Sequence, residues 1–191
     1  YSSLSLIQFL SDLQSETLEL EISKVSAPFF KTVGDLKGAP LSWLTSLIEY
    51  PFMFSLLKER LATKDSVRAM LKNTVSITML STQGPGKNVI PSQASAFLDI
   101  RLLPSTQVES FIDKLNELGK KYKIEVEISE RSDSTTSEGE SVFVKKMKKL
   151  IESEVKDSAL TPFLSPGATD NRFFRKIGIQ AYGMIPILID Y

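Results

Sequence analysis

The chain has 191 residues, 42% hydrophobic and 24% charged, the ordinary balance of a globular protein with room for one or two small domains and a real core. Its 23 Lys and Arg equal its 23 Asp and Glu, so it lacks the basic excess of a general nucleic-acid binder. No cysteine and no histidine are present, which excludes a disulfide framework, a Ser-His-Asp triad, a Cys-His pair and a typical zinc site within this chain.

Apolar residues at helical spacing, Leu6, Ile7, Leu10 and Leu13, predict a one-sided helix over 3–14. Residues 15–40 are less regular, punctuated by Gly34, Gly38 and Pro40, with a turn expected at Ala27-Pro28. Over 41–72 helical pieces follow. One stripe is Leu41, Leu44, Leu47 and Ile48, ended or kinked by Pro51; the next is Phe52, Leu56, Leu57 and Leu61; Asp65 is placed to cap a short helix through Met70 and Leu71. Trp43 and Phe52-Met53-Phe54 suit helix packing, a ligand pocket or a subunit contact.

Alternation then takes over. Val75, Ile77 and Met79 are expected on one face of a strand over 74–82, with Thr74, Ser76 and Thr78 on the other. Gly84-Pro85-Gly86 breaks it, and a second strand over 93–103 follows. There Ala94, Ala96, Leu98, Ile100 and Leu102 face one way, and Phe97, Asp99, Arg101 and Leu103 the other. After Pro104, Thr106 and Glu109 fit a capping box, and Val108, Phe111, Ile112, Leu115, Leu118 and Tyr122 trace a helix. Ile124, Val126 and Ile128 alternate as a third strand. These elements predict a ferredoxin-like open-faced α/β sandwich.

Residues 129–140 are polar and serine-rich, a linker or exposed crossing. Beyond them Phe143, Met147, Leu150, Ile151 and Val155 mark a helix whose four lysines suit a solvated face. A strand is expected at 160–164, a helix capped by Thr169 and closed by Gly178, and a strand at 179–184. This last part is α/β in character. No apolar run approaches the ~18–20 residues of a membrane span, so neither a membrane nor nucleic acid is expected as a partner. The start at Tyr1, which is not Met, and the apolar finish at 185–191 suggest a piece of a longer protein.

Two places have chemistry suited to anion recognition. Arg101 offers a planar fork matched to a carboxylate, with Asn88 expected beside it as an amide donor; the same arginine could equally form a structural ion pair with Asp99 or Asp170. Gly167, Ala168 and Thr169 just before a helix offer backbone N–H groups, though an ordinary capped turn explains them as well.

Asn88-Val89-Ile90-Pro91, followed by Asp99-Ile100-Arg101, resembles the lid (dimerisation) domain of the zinc-dependent aminoacylase and carboxypeptidase family, which includes carboxypeptidase G and carboxypeptidase S. Pro166-Gly167-Ala168-Thr169-Asp170-Asn171-Arg172-Phe173-Phe174 is similar to a second motif of that family, in the right order along the chain. The resemblance implies an α+β chain: a ferredoxin-like lid over 1–132 with a helical insertion at 15–72, then a C-terminal segment of a zinc-exopeptidase-like catalytic domain over 133–191. It implies a hydrolase acting on the amide bond of N-acyl amino acids or small peptides with a free carboxylate, through two zinc ions, and a homodimer formed through the lid.

By the same resemblance Asn88 and Arg101 hold the substrate carboxylate, in such dimers reaching the site of the other subunit. Gly167, Ala168 and Thr169 line the site, and Arg172 matches the arginine frequent in that motif. The metal ligands and the general base are absent from this chain, so no zinc is expected bound to it and no catalytic residue is assigned. The alternative is a non-catalytic ferredoxin-like module for amino-acid binding or dimerisation.

Overall fold

Helix α1 (Ser2–Glu16) opens the chain and turns Leu6, Phe9, Leu10 and Leu13 inward at i, i+3, i+4 and i+7. Ile7, expected on that stripe, is 62% exposed, and Phe9 takes its place. In the computed structural model, which describes residues 1–16, 19–84, 86–165 and 167–184, helices and one small sheet make an α+β fold. It divides into two units, residues 1–21 with 71–131 and residues 22–70 with 132–191. The expectations for Pro85, Pro166 and 185–191 lie outside the described residues.

In the first unit, β1 (Thr74–Gln83) and β2 (Gln93–Arg101) form an antiparallel ribbon running from Thr74–Arg101 at one end to Gln83–Gln93 at the other. Val75, Ala94, Ala96, Leu98 and Ile100 pack against the cluster formed by α1 with Leu115 and Leu118 of α6 (Val108–Tyr122), so the alternation expected for β2 holds as far as Arg101, where the strand ends; Leu103, expected outward, is buried. For β1 it holds only to Ile77. There two residues of β1 pass one of β2, a bulge that leaves Thr78 as the extra residue and moves Met79 opposite Phe97, onto the outward face. The Thr78 hydroxyl donates to the Phe97 carbonyl at 3.2 Å.

Asn73 closes the open end of the ribbon, its side-chain oxygen accepting the Leu103 N–H at 2.7 Å and the Thr106 hydroxyl at 2.9 Å. Thr106 therefore does not cap α6. Gln107 occupies the N-cap, and Glu109, the other half of the expected capping box, pairs with Arg131. The helix ends with Lys123 in the left-handed region (φ 57°). The Ile124 N–H reaches back to the Gly119 carbonyl and the Lys123 N–H to that of Lys120, closing the last turn. A Cβ on Gly119 would meet the Ile124 carbonyl oxygen at 2.7 Å, so the returning chain fits only over glycine. Ile124 and Val126 pack on the core, yet 124–128 joins no ladder among the described residues and the expected third strand does not form. A strand is defined by a hydrogen-bonded neighbour, and here packing and the single Ile124–Gly119 bond hold the segment.

The second unit contains a helix in the stretch expected to be irregular, α2 (Ala27–Lys37). Ser23 and Ser26 lock the turn ahead of it: each backbone N–H donates to the other's hydroxyl at 3.1 Å, and both side chains are buried, though neither caps a helical N–H. Pro28 sits in the first turn, where its missing N–H costs nothing. Gly34 faces Thr45 of α3 (Leu41–Ser46) at a distance only glycine allows.

Pro51 starts α4 (Pro51–Leu61) rather than kinking a longer helix; Phe54 and Leu57 are buried, while Phe52 and Leu56, expected on the packed stripe, are 80% and 65% exposed. In α5 (Asp65–Arg68), Asp65 is the first helical residue and makes no cap, pairing instead with Arg68 at 3.3 Å.

Helix α7 (Val142–Glu154) is capped by Ser141, whose hydroxyl accepts the Val144 N–H, and none of its residues is buried. The expected strands at 160–164 and 179–184 form no ladder among the described residues. Side chains anchor the first: the Phe163 ring packs edge-on to Phe29, and the Thr32 hydroxyl bonds that of Thr161. The second is held by Arg175 of α8 (Asn171–Lys176), whose Nε donates to the Ser137 hydroxyl and to the Ala181 carbonyl, both at 2.9 Å. Gly178 (φ 84°) closes α8 as expected: its N–H bonds the Arg175 carbonyl and the Ile179 N–H that of Phe174.

Candidate functional site

Arg101 ends β2 on the sheet face turned away from the core, as its alternation with Ile100 requires. Its guanidinium grips Asp99 on the same face two residues back, through Nε to Oδ1 at 3.3 Å and a terminal nitrogen to Oδ2 at 2.8 Å. Of the two ion pairs open from sequence, the one with Asp99 is formed. The hydrogen bonds from Arg101 hold the Asp99 carboxyl below its ordinary range, and those to Asp99 raise the guanidinium further. Both groups therefore stay charged at neutral pH. Both side chains remain about half exposed, so the pair adds little to stability. What it does is fix the direction of a permanently charged planar donor on an accessible surface.

Asn88 is not beside Arg101. It lies in the exposed loop joining the strands, beyond the Gln83–Gln93 pair, and the eight residue steps from Gln93 to Arg101 span about 27 Å at ~3.4 Å each. The two residues occupy opposite ends of the ribbon, so within one chain they do not form a single clamp.

The other expected site residues belong to the second unit. Gly167, Ala168 and Thr169 are exposed and precede α8, whose N-cap is Asp170. The Gly167 N–H is already engaged, donating to the Ser165 hydroxyl at 3.2 Å, while that hydroxyl bonds the Gly167 carbonyl. Thr169 contributes its carbonyl, which accepts the Arg172 N–H, rather than a side-chain cap. Helix α8 has only six residues, too short for a strong terminal dipole. Arg172 lies over the Phe173 ring at 4.8 Å and donates to the Ser132 hydroxyl at 3.1 Å. Ser132, Ser137 and Ser165 thus order this region; in sequence they read only as loop residues.

Among the described residues no three acidic side chains stand close enough to hold a metal ion, and no histidine is available, so these residues do not fit a zinc site. An open cleft of about 520 Å³ beside α6, lined by Asp113, Glu117, Lys120 and Glu125, includes none of the expected site residues. No described helix is long and apolar enough to cross a membrane.

The family profile described as the peptidase dimerisation domain matches residues 4–127. Aminoacylase-1 of Dictyostelium discoideum is 33% identical over 104 residues, which cover 52% of this chain and 25% of that protein. The match thus spans about a quarter of that relative. A metallo-carboxypeptidase structure from Sulfolobus solfataricus aligns over 93% of this chain and 42% of its own, with a TM-score of 0.46 and 20% identity, too slight a likeness to carry an argument.

Proposed function

We propose, since this chain belongs to the peptidase dimerisation domain family, that it supplies the lid and the C-terminal catalytic segment of a di-zinc amidohydrolase acting on N-acyl amino acids or small peptides with a free carboxylate. In this reading residues 1–132 are a ferredoxin-like lid with 15–72 as its helical insertion, and 133–191 belong to the catalytic domain. The interruption of the first unit by residues 22–70 supports it, as does the packing of 124–126 on the same core as β2. In the whole protein the segments 124–128, 160–164 and 179–184 gain strand partners from residues outside this chain.

The observation that carries the functional reading is Arg101 on the outward sheet face, oriented by Asp99. It binds the substrate carboxylate and so sets the position of the scissile amide. Gly167, Ala168, Thr169 and Arg172 are taken as further substrate-binding residues, on the match of 166–174 to the second motif. The zinc ions are held by residues this chain does not contain; when bound, they supply an activated water and polarise the amide carbonyl. Asn88 lies exposed in the loop at the ribbon tip, which fits a homodimer formed through the lid.

The full-length protein should hydrolyse N-acetyl amino acids, lose activity on chelation, regain it with zinc and sediment as a dimer. A zinc-loaded dimer inert towards every N-acyl amino acid and dipeptide tried would defeat the assignment.

A further inference from the structure

The outward face of the ribbon carries more than its arginine. Direct partners across the ladder share a face, so Thr74 stands beside Arg101, Ser76 beside Asp99, Met79 beside Phe97 and Ser81 beside Ser95. The one apolar pair on this face exists because of the bulge. Without the extra residue, Phe97 would meet Thr78, and Met79 would turn to the core face opposite Ala96. The Thr78 hydroxyl, bonded to the Phe97 carbonyl, holds that local register. Met79 and Phe97 remain 64% and 56% exposed on a face otherwise built of hydroxyls, amides and one ion pair. Four residue steps of β2 separate Phe97 from Arg101, about 14 Å. A fixed cation and an apolar platform therefore lie in line along one strand, with Ser76 and Asp99 between them.

We propose that this face is an extended ledge for a monocarboxylate carrying an apolar tail, with the carboxylate at Arg101 and the tail across Phe97 and Met79. The inference rests on Arg101 as the carboxylate-binding residue and adds the far end of the ligand. Among N-acyl amino acids it selects those with a long apolar acyl chain, because an acetyl group ends well short of the platform. Charge complementarity fixes one end, and burial of methylene groups against Phe97 and Met79 supplies chain-length preference, roughly fourfold in affinity for each methylene fully buried.

The test is calorimetric titration of the full-length protein with laurate, below its micellar concentration, and with butyrate. Neither is hydrolysed, so binding is read apart from activity. Laurate is expected to bind at least tenfold more tightly than butyrate. The double variant Phe97→Thr/Met79→Thr keeps β-forming residues on an exposed face and should lower that ratio about tenfold, leaving butyrate affinity unchanged. Val89→Thr/Ile90→Thr, which alters two exposed apolar residues in the loop of this hairpin, should leave the ratio alone.

Equal binding of the two acids, or an equal fall of the ratio in both double variants, overturns the ledge. If short N-acetyl amino acids are still hydrolysed in that case, the functional assignment stands without it. If Arg101→Ala leaves both acids bound as before, the carboxylate assignment and the ledge fall together.

Discussion

Gly34→Ala tests the tightest helix contact in the second unit. A Cβ at residue 34 would sit 1.8 Å from the Thr45 hydroxyl oxygen, 2.9 Å from the Thr45 Cβ and 3.1 Å from its Cγ2. Thr45 cannot step aside, because it is 2% exposed and its hydroxyl bonds the Leu41 carbonyl at 2.9 Å and that of Ser42 at 3.3 Å. A χ1 rotation can remove the oxygen only by breaking those bonds, and it leaves the Thr45 Cβ itself at 2.9 Å. Helices α2 and α3 must therefore separate by about 1 Å or more. Overpacking of this kind costs about 1–3 kcal/mol, against roughly 1 kcal/mol gained when alanine replaces a helical glycine, a net loss of about 2 kcal/mol at the upper end.

Thr45→Gly alone should cost about 1–2 kcal/mol through lost hydroxyl bonds and a small void. The two together reverse bump and hollow across the same contact, so the double variant should lie within about 1 kcal/mol of the parent, a coupling of roughly 2 kcal/mol. Urea unfolding followed by the fluorescence of Trp43, the single tryptophan and itself on α3, measures all three. Additivity within about 0.5 kcal/mol would refute the contact as described.

On the proposed function, Arg101→Ala in the full-length protein should raise KM with little change in kcat, a loss of about 1.5–3 kcal/mol for a charged hydrogen bond, and an unchanged KM would remove Arg101 from the site. Lys123→Gly should stabilise the first unit by about 0.5–1 kcal/mol in urea unfolding, since lysine there holds a φ of 57° that glycine adopts freely. Asp12 is bonded by Lys121 at 2.7 Å and by the Tyr122 hydroxyl, and these bonds hold its carboxyl below the ordinary aspartate range. A lowered folded-state pKa gives stability that is complete above the unfolded value of ~4 and is lost as pH falls through the folded one. Asp12→Asn should therefore unfold at lower urea than the parent at pH 6, with the two converging in strong acid; a constant gap across that range would assign the effect to something other than the charge.

Periodicity exposed the elements that have one polar and one apolar side. Helix α6 and strand β2 stand where alternation and spacing place them, because each buries one face against the other through α1. Helix α2 escaped notice because Gly34 and Pro28 read as breakers. Here glycine answers a close helix contact and proline occupies the first turn. Met79 was assigned to the wrong face because a bulge has no signature in an alternating string: Thr78 looks like any other outward threonine. Glu109 and Thr106 have capping-box spacing, but Asn73, far away in sequence, competes for the threonine and Arg131 for the glutamate. At the candidate site the outward direction of Arg101 followed from alternation. Its distance from Asn88 did not, since loop and strand lengths give no separation until the register is known.

That separation has a consequence in a dimer. In this arrangement of the ribbon, two side chains at opposite ends of about 27 Å can touch one small carboxylate only if they come from different chains. Mixed dimers decide it. Asn88→Ala and Arg101→Ala subunits should each be at least about tenfold impaired alone, given ~1.5–3 kcal/mol for each charge-assisted bond lost. When the two are co-refolded at equal amounts, half the dimers are mixed. In the trans arrangement each mixed dimer has one site with both residues intact and one with neither, so activity should recover to about a quarter of the parent's. If each subunit instead used its own Asn88 and Arg101, every site in the mixed dimer would lack one residue and no activity would return. That result would require the loop at 84–92 to fold back along the sheet face toward Arg101 when substrate binds.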